Sequence, residues 1–493
     1  MNTPDLHQMA DDSAQERFFE KPMYMVDVQG WPADRVYPSR PLTDPVAAPP
    51  GSHLRLWPID PHDARRVPPL GNVAPTLDTD QFSLVNSGNR TLSAPKRSWK
   101  VDLDPGEVAE MSTLNLKSMY NDPSQMREAV AWHLFGQAGV PASRHTYARL
   151  NINDRYIGLF SVIEQVDKAF LKQHFQGKPH GNLFKVYCGD VGPGTLERRV
   201  GSDGDDSGRQ YATGDNEDPT YKLKSYSDAA DAESYNDLAQ LCRVIDGLGL
   251  PGAEKRFDTD AFAASMRDIF DVESFLRWAG VNVLIGAWDN YFATPANYYL
   301  YNAGRSDDVV GDPYFTFVPW DYDNTFGIDY FGTSWQYTDL LDWASNTGDY
   351  WRRNGHGGRS RLPLVANVLQ NTGFRRYYLD HLEHLLDTEF NPTAIDARIG
   401  STGLWDRVVP TAYLESDTPS GSPFTGRQFT NDEVYRSGFE QFELRHGPAF
   451  ILGIHHYVRM RYDRARSQLQ DLRRQDPAGS SGAAFGALVA AAR

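Results

Sequence analysis

The segment from residue 262 to residue 323 constrains the fold more than any other part of the chain. A helical pattern covers residues 262–288, and its second half is apolar enough to form a central buried helix. Two strands are predicted next, at residues 297–301 and 314–318, with a turn between them. A helix, a loop and a hairpin in this order bring the loop and the end of the second strand to the same place. Polar residues at those two points should therefore lie together.

Four polar residues occupy these points. Asp289 and Asn297 follow the helix, and Asp321 and Asp323 follow the second strand. Carboxylates gathered at one place suit a divalent cation, and Mg²⁺ prefers one or two carboxylates, with water and phosphate oxygens at its other positions. In phosphoryl transfer a separate carboxylate orients the attacking hydroxyl. Three acids and one Asn therefore cover the roles of a magnesium and phosphate site, although Asp and Asn are also ordinary turn residues.

Two other kinds of metal site can be compared with the segment that begins at Asp321. A calcium-binding EF-hand loop needs Gly at its sixth position and Glu at its twelfth, but Phe326 and Gly332 stand there, so this motif is excluded. Many metal-dependent glycosyltransferases hold a sugar nucleotide with an Asp-x-Asp motif that follows an apolar strand. That alternative stays open on the local sequence.

A second group of candidate residues lies in a turn of small residues at positions 86–91. The turn includes Ser87, Gly88, Asn89 and Arg90. A loop of this kind between two antiparallel strands can place backbone N–H groups over phosphates, although a plain hairpin turn has the same composition. The strand that follows alternates apolar and polar residues, and Lys100 lies on its polar face together with Lys96. Lys100 could thus reach a phosphate; a solvated lysine is the alternative.

Glu128 lies on the next predicted helix, which should begin with Asp122 as its N-cap and Pro123 at its first position. If this helix packs against the strand of Lys100, Glu128 can hold the lysine as an ion pair. An exposed surface glutamate is the alternative.

The rest of the chain gives coarser predictions. The Pro-rich first seventy or so residues are typical of an extended arm or a few edge strands. Residues 187–228, rich in Gly, Asp and Ser, predict a long acidic surface loop or hairpin excursion. The patterns also predict a hairpin of strands at 144–150 and 156–163 around Asn153 and Asp154, and helices at 164–175, 362–386, 392–399 and 439–472.

Charge and composition exclude several classes of protein. The formal net charge of -16 argues against a nucleic-acid partner, while a small anion such as ATP would need a local basic pocket and a divalent metal. With Cys188 and Cys242 as the two cysteines, there is neither a disulfide framework nor a Cys-based zinc site. No signal peptide or membrane-spanning segment is visible, which predicts a cytoplasmic protein without a membrane partner.

Taken in order, these segments resemble the spore coat protein H (CotH) kinase family, whose members are similar to atypical protein kinases. The matching segments are residues 87–91, 95–100, 127–128, 151–160, 164–167, 182–185, 289–291, 297–301 and 319–327. The last of these, with the sequence PWDYDNTFG, is the most specific. Together they cover roughly residues 80 to 330.

The resemblance implies an α+β, two-lobed protein-kinase-like fold with Mg-ATP between the lobes. The N-lobe would be an antiparallel sheet with one helix, and the larger C-lobe would be mainly helical. The implied divisions are a Pro-rich N-terminal arm (1–75), the N-lobe (76–180), the C-lobe (181–475) with the acidic insertion 187–228 and C-terminal helices, and a flexible tail (476–493).

The resemblance also assigns roles. Ser87, Gly88, Asn89 and Arg90 would cover phosphates, Lys100 would bind them, Glu128 would pair with Lys100, and Glu164 would lie near the hinge. Asp289 would be the catalytic acid or base, Asp321 the main metal ligand, Asp323 its support and Asn297 a second ligand. The sequence departs from the ordinary protein-kinase pattern at two points. Asn297 is farther from Asp289 than the metal-binding Asn of an ordinary protein kinase is from its catalytic Asp, so Asn297 could instead pin the strand. Trp288 stands before Asp289, where an ordinary protein kinase has His-Arg.

The function that the resemblance implies is an ATP- and Mg²⁺-dependent protein-modifying transferase, most simply a Ser/Thr protein kinase acting on a protein substrate, with Mn²⁺ as another suitable cation. Three alternatives stay open. The first is a kinase-fold glutamylase or nucleotidyl transferase that uses ATP to activate a carboxylate. The second is a non-catalytic pseudokinase scaffold, and the third is the glycosyltransferase. By family analogy, the spore coat or secretion is an alternative to the cytoplasm.

Overall fold

The computed structural model of the protein describes residues 14–36, 41–63, 74–88, 92, 94–103, 106–175, 180–189, 192–212, 219–224, 235–250, 257–306, 308–341, 362–415 and 429–475. The strands in these ranges are β1 (Tyr24–Gln29), β2 (Val46–Ala47), β3 (His53–Pro58), β4 (Leu77–Thr79), β5 (Ser83–Ser87), β6 (Ser98–Asp102), β7 (Thr113–Lys117), β8 (His145–Ile152), β9 (Arg155–Ile163), β10 (Asn182–Val186), β11 (Tyr221–Leu223), β12 (Tyr298–Asn302), β13 (Phe315–Pro319), β14 (Ile328–Asp329), β15 (Glu443–His446) and β16 (Ala449–Leu452). The helices are α1 (Ala14–Phe19), α2 (Ala33–Val36), α3 (Arg127–Gln137), α4 (Lys168–His174), α5 (Asn236–Ile245), α6 (Asp260–Ile269), α7 (Val272–Ile285), α8 (Pro363–Val368), α9 (Thr372–Asp387), α10 (Pro392–Ile399), α11 (Leu404–Ala412), α12 (Asn431–Phe439) and α13 (Ile454–Gln475). None of these helices is long and apolar enough to cross a membrane.

The largest sheet has nine strands in the order β2-β5-β6-β7-β9-β8-β1-β3-β4. Its strands pair antiparallel except for β1, which runs parallel to β8. The predicted extended arm or edge strands at the N-terminus are therefore wrong for β1, which lies inside the sheet between β8 and β3. Met23 and Met25 are completely buried, which is the physical reason that this segment joins the core. The short strands β2 and β4 do form the two edges.

Both hairpins predicted in this sheet are confirmed. β5 and β6 pair antiparallel across the turn, and Trp99 and Val101 are buried on one face, as the alternating pattern indicated. β8 and β9 pair around Asn153 and Asp154, whose φ angles are +50° and +62°. Two adjacent residues in the left-handed region form the tight turn that matches the twist of a hairpin.

Helix α3 begins later than predicted. Its first residue is Arg127, and Asp122 lies in the preceding turn rather than at the N-cap. The carboxylate of Asp122 accepts hydrogen bonds from the backbone N–H of Ser124 and of Arg127 and pairs with the Arg127 guanidinium. Because these buried groups satisfy one another in an irregular turn, Pro123 does not start the helix.

The helix–hairpin unit has the predicted order with different bounds. The helix predicted at 262–288 is divided into α6 and α7, because Phe270 leaves the helix to form a bridge with Phe315, and Asp271 caps α7. Gly286 ends α7 with a φ of +64°. β12 and β13 then form the predicted hairpin and join a four-stranded sheet, in the order β11-β10-β12-β13. The mixed α+β class is thus confirmed, with three sheets among the described residues.

Two predictions about the remainder need correction. Within residues 187–228, Leu196, Tyr211 and Tyr221 are buried and β11 pairs with β10, so these parts belong to the core, whereas residues 202–204 are exposed as predicted. The helix predicted at 439–472 is really α13 preceded by the β15–β16 hairpin, whose turn contains Gly447 at a φ of +57°. The predicted tail 476–493 lies outside the described residues.

Candidate active site

An ion pair between two sheets lies at the centre of the candidate site. Leu114 and Leu116 of β7 face the apolar core, so Lys117 projects from the opposite face. Its Nζ lies 2.9 Å from Oδ1 of Asp321, which follows β13 of the four-stranded sheet. The side chains are 18% and 29% exposed, and we call the partly accessible space between the two sheets at this pair the cleft.

Three acidic side chains lie close to Lys117 and determine the charge of this pair. Burial lowers the pKa of Lys117, but Asp321, Glu128 and Asp323 outweigh that effect and raise it above its usual value. Burial raises the pKa of Asp321, and Lys117 reverses this and lowers it. At neutral pH Lys117 and Asp321 are thus both charged.

Glu128 and Asp323 are the two acids that Lys117 does not neutralise. Burial raises the pKa of Glu128 to about 7, with Lys117 opposing and Asp321 adding to the shift. Neither of its carboxylate oxygens makes a hydrogen bond of normal geometry, although Trp132 and the backbone of Tyr322 are near enough to lower the pKa. The pKa of Asp323 is raised well above its usual range by burial, by Asp321 and by Glu128. A cation in this place would relieve the repulsion.

Tyr322 fixes the two aspartates that flank it. Its hydroxyl accepts a hydrogen bond from the Trp278 indole at 2.6 Å and donates one to Asn282 at 3.2 Å, both on α7. Trp132 of α3 packs edge-on against its ring. Because Tyr322 is buried, Asp321 is directed to the cleft with a φ of +66°, in the left-handed region that non-glycine residues seldom adopt. Such strain is typical of functional positions.

The loop that contains Asp289 is held against the same place. Oδ1 of Asp289 accepts a hydrogen bond from the Thr294 hydroxyl at 2.7 Å. The amide of Asn324 lies 3.0 Å from Asp323 and 3.5 Å from Oδ2 of Asp289, so it links the two carboxylates. The structure therefore brings Asp289 and Asp323 together, as the order of helix and hairpin predicted.

Asn297 has a supporting position. Its side-chain amide donates a hydrogen bond to the backbone carbonyl of Asp289 at 2.9 Å, and its φ is +52°. The contact closes the loop from Asp289 to the start of β12. Asn297 thus makes, through its amide nitrogen, the strand-pinning contact that its spacing from Asp289 allowed.

The cleft is lined by lysines from both sheets. Lys100 lies directly opposite Asn115 in the β6–β7 register, so it shares a face with Lys117. Lys185 of β10 lies across from them, with its Nζ 5.6 Å from the Trp320 ring, the same distance as that of Lys117. Lysines from both sheets thus lie beside the acids of the site.

The structure corrects the partner predicted for Glu128. No ion pair joins Lys100 to Glu128 within the described residues, because Lys117, on the next strand, lies beside Glu128 instead. Lys96, which was predicted on the same polar face as Lys100, also has a different position. It is buried and its Nζ lies 2.7 Å from Glu415.

The β5–β6 turn stands at the end of the sheet nearest to Lys117. Ser87 pairs with Ser98, whose hydroxyl contacts Ser118, the residue after Lys117. Gly88 has a φ of +113°, which only glycine adopts readily. Asn89 and Arg90 lie outside the described residues.

Glu164, predicted near the hinge, is part of a buried ion-pair group. Its carboxylate lies 2.6 Å from Arg144 and 3.7 Å from His174. Burial would raise its pKa, but His174 and Arg144 outweigh burial and lower the pKa to about 2. Glu164 connects β9 to the start of β8 through Arg144, a structural contact between two strands.

The ion pairs of Glu164 predict how the free energy of unfolding changes in acid. The folded-state pKa of Glu164 lies below its unfolded value, so its contribution is fully present above about pH 4.5 and is lost as the pH falls towards 2. We expect Glu164→Gln to lower the free energy of unfolding by roughly 3 kcal/mol at pH 7 and by much less at pH 3. Urea unfolding of both proteins at the two pH values measures this. An equal loss at both pH values would show that Glu164 acts through packing alone.

The acids fit a Mg²⁺ ion that also binds phosphate. Within the described residues no three Asp, Glu, His or Cys side chains are arranged to hold a metal by themselves. Mg²⁺ does not need such a cage, because one or two carboxylates suffice when phosphate and water supply the other ligands. Asp321 and Asp323 both lie in this place, and such an ion would relieve the repulsion from Asp321 that helps to raise the pKa of Asp323.

Three residues of the site were missed by the sequence analysis: Lys117, Lys185 and Asn324. Lys117 was detectable, since Leu114 and Leu116 alternate with Asn115 and Lys117 as in a half-buried strand. Lys185 and Asn324 were within matched segments but carried no local signal of their own.

The chain matches a protein-family model and several known proteins. Residues 85–412 match the family model described as CotH kinase protein. The chain is 22% identical to invasin CotH3 of Rhizopus delemar over 362 residues, which are 72% of this chain and 53% of the invasin. It is 24% identical to invasin CotH2 of the same fungus over 324 residues, 64% of this chain and 48% of that protein. It is 23% identical to inner spore coat protein H of Bacillus subtilis over 343 residues, 69% of this chain and 79% of that protein. The chain thus spans about half the length of the two invasins.

Proposed function

The chain belongs to the CotH kinase protein family, and from that premise we propose that it is an ATP- and Mg²⁺-dependent protein-modifying transferase, most simply a Ser/Thr protein kinase. The observation that carries the proposal is the Lys117–Asp321 ion pair, formed between two sheets and surrounded by Glu128, Asp323 and Asp289. A cation beside a cluster of acids is what phosphate and Mg²⁺ together require.

Each side of the cleft would have one task. Lys117 would bind the phosphates of ATP, with Glu128 holding it in place through its negative field. Asp321 and Asp323 would hold Mg²⁺, which neutralises the charge that develops on the transferred phosphoryl group. Asp321 is already oriented by its contact with Lys117, so little reorganisation is needed when the ion binds.

Asp289 would position the acceptor. Thr294 and Asn324 occupy the two oxygens of its carboxylate and thereby fix its plane. A hydroxyl of the protein substrate that donates to this carboxylate would be directed at the terminal phosphate and would pass its proton to Asp289 on transfer. Orientation and proton acceptance are the contributions of the chain itself.

The reaction class can be tested by intact mass. We expect the purified protein, incubated with Mg-ATP and with one acidic and one basic generic acceptor protein, to add a phosphate to itself or to an acceptor. A parallel reaction contains free glutamate. Addition of a nucleotide or of glutamate would replace the kinase by a carboxylate-activating transferase. The absence of any mass change together with no binding of ATP would support a scaffold. Turnover of a sugar nucleotide in preference to ATP would support a glycosyltransferase.

A further inference from the structure

Lys185 is a lysine whose ammonium group lies among three aromatic rings. Its Nζ lies 5.0 Å from the centre of the Tyr187 ring, 5.7 Å from that of Tyr299 and 5.6 Å from that of Trp320. In the part of the chain that the structure describes, no carboxylate lies within ion-pair distance of it. The rings surround the ammonium group on several sides and leave it partly accessible from the cleft.

The nearest charged groups are mostly other cations. Lys117 and Lys100 approach from the nine-stranded sheet, and Lys224 follows the neighbouring strand β11. Lys222 lies directly opposite Lys185 in the β10–β11 register, an arrangement of like charges that destabilises a sheet. Burial together with Lys117 lowers the pKa of Lys185 to about 8, with Asp321 opposing. The unbound protein therefore holds this ammonium group at a cost in free energy.

Two structural explanations do not account for this arrangement. Lysines on an edge strand discourage pairing with other chains, which suits Lys222 and Lys224 on or beside β11. Lys185, however, is on β10, an inner strand between β11 and β12. Contact with aromatic rings stabilises an ammonium ion, but the rings have no net negative charge that could balance the neighbouring lysines. A bound anion would balance them.

We propose that Lys185 binds a phosphate group of the nucleotide from the four-stranded sheet, opposite Lys117 on the nine-stranded sheet. Lys117 is paired with Asp321, whereas Lys185 has its donors available, so the two lysines would share one polyphosphate chain. Lys100, on the face that it shares with Lys117, would add positive charge to the same place. The chain of phosphates would thus link the two sheets across the cleft. This inference rests on the proposed nucleotide-dependent function and names a further residue for it.

The test compares three probes by calorimetry on the full chain: ATP with Mg²⁺, inorganic tripolyphosphate, and adenosine. Lys185→Met should weaken the affinity for ATP and for tripolyphosphate by about tenfold to a hundredfold, the range for a hydrogen bond between charged groups, and should leave adenosine binding unchanged. Lys185→Arg should retain most of the affinity because it keeps the charge. Lys172→Met is the matched control, since Lys172 is an exposed lysine paired with Glu110.

Several results would overturn the inference. Unchanged affinity of Lys185→Met for tripolyphosphate would show that Lys185 does not bind phosphate. An equal loss for adenosine would show a general disturbance of the cleft. Unchanged nucleotide affinity with a raised KM for the acceptor protein would assign Lys185 to the acceptor. If the protein binds tripolyphosphate through Lys185 but transfers nothing from ATP, the proposed function fails and the phosphate site stands.

Discussion

Asp321→Asn should lower the rate of ATP-dependent transfer on the order of a thousandfold or more while leaving the fold intact. The loss corresponds to several kcal/mol, the typical value of metal-ion stabilisation of a transition-state charge. Asparagine is the informative replacement because it tolerates the left-handed backbone that Asp321 adopts, with a φ of +66°. Its amide oxygen can still accept a hydrogen bond from Lys117. The charge alone is removed.

Initial rates at saturating Mg-ATP, with far-ultraviolet circular dichroism as the check on folding, measure this effect. Asp432→Asn is the matched control, because Asp432 is exposed on α12 and contacts only Arg436 through an exposed pair. Its rate should equal that of the unaltered protein. Asp321→Asn with more than a tenth of the original rate would exclude Asp321 as the principal metal ligand.

Asp323→Asn separates the two aspartates. Burial, Asp321 and Glu128 raise the pKa of Asp323 well above its usual range, which disfavours its charged form before a cation binds. A neutral amide therefore alters the unbound site less than the same change at Asp321 does. We expect a smaller loss of rate, which higher Mg²⁺ concentrations partly restore.

The parts of the site that the sequence predicted are those set by local patterns. The apolar period of α7, the alternating strands β12 and β13, and the acids that follow each element determine where the chain returns. The proximity of Asp289 and Asp323 follows from the order of helix, loop and hairpin alone. Likewise the β8–β9 hairpin was visible because Asn153 and Asp154 favour the left-handed backbone that a tight turn needs.

The parts that could not be predicted depend on which strands become neighbours. Lys100 and Lys117 both lie on the polar faces of alternating strands, and nothing local decides which one meets Glu128. Only the order of β6, β7 and β9 in the sheet places Lys117 beside α3. The same holds for β1, whose place next to β8 joins residues far apart in the chain. Strand pairing of this kind is stabilised by burial of side chains across the whole sheet rather than by the local propensity of the residues to form strands.

Lys96 shows how such long-range contacts support the site. Lys96 lies between the β5–β6 turn and the first residue of β6. Its buried ammonium group donates a hydrogen bond to Glu415 at 2.7 Å and another to the backbone carbonyl of Leu159 at 2.6 Å. Glu415 also accepts a hydrogen bond from the backbone N–H of Leu159. A residue just after α11 thus fastens the base of the β5–β6 turn to β9. The geometry of the cleft therefore depends on a contact across more than three hundred residues of sequence.

Glu415→Gln should destabilise the protein by about 3–5 kcal/mol, because it removes the buried negative charge that faces the Lys96 ammonium group. The shift of the urea midpoint, followed by tryptophan fluorescence, measures this loss. Glu110→Gln is the matched control, since its pair with Lys172 is exposed and should contribute far less. The double variant Lys96→Met, Glu415→Leu should recover much of the stability, because two apolar side chains can replace a buried pair without leaving a charge behind. If Glu415→Gln and Glu110→Gln have the same midpoint, the buried pair is not what anchors the turn.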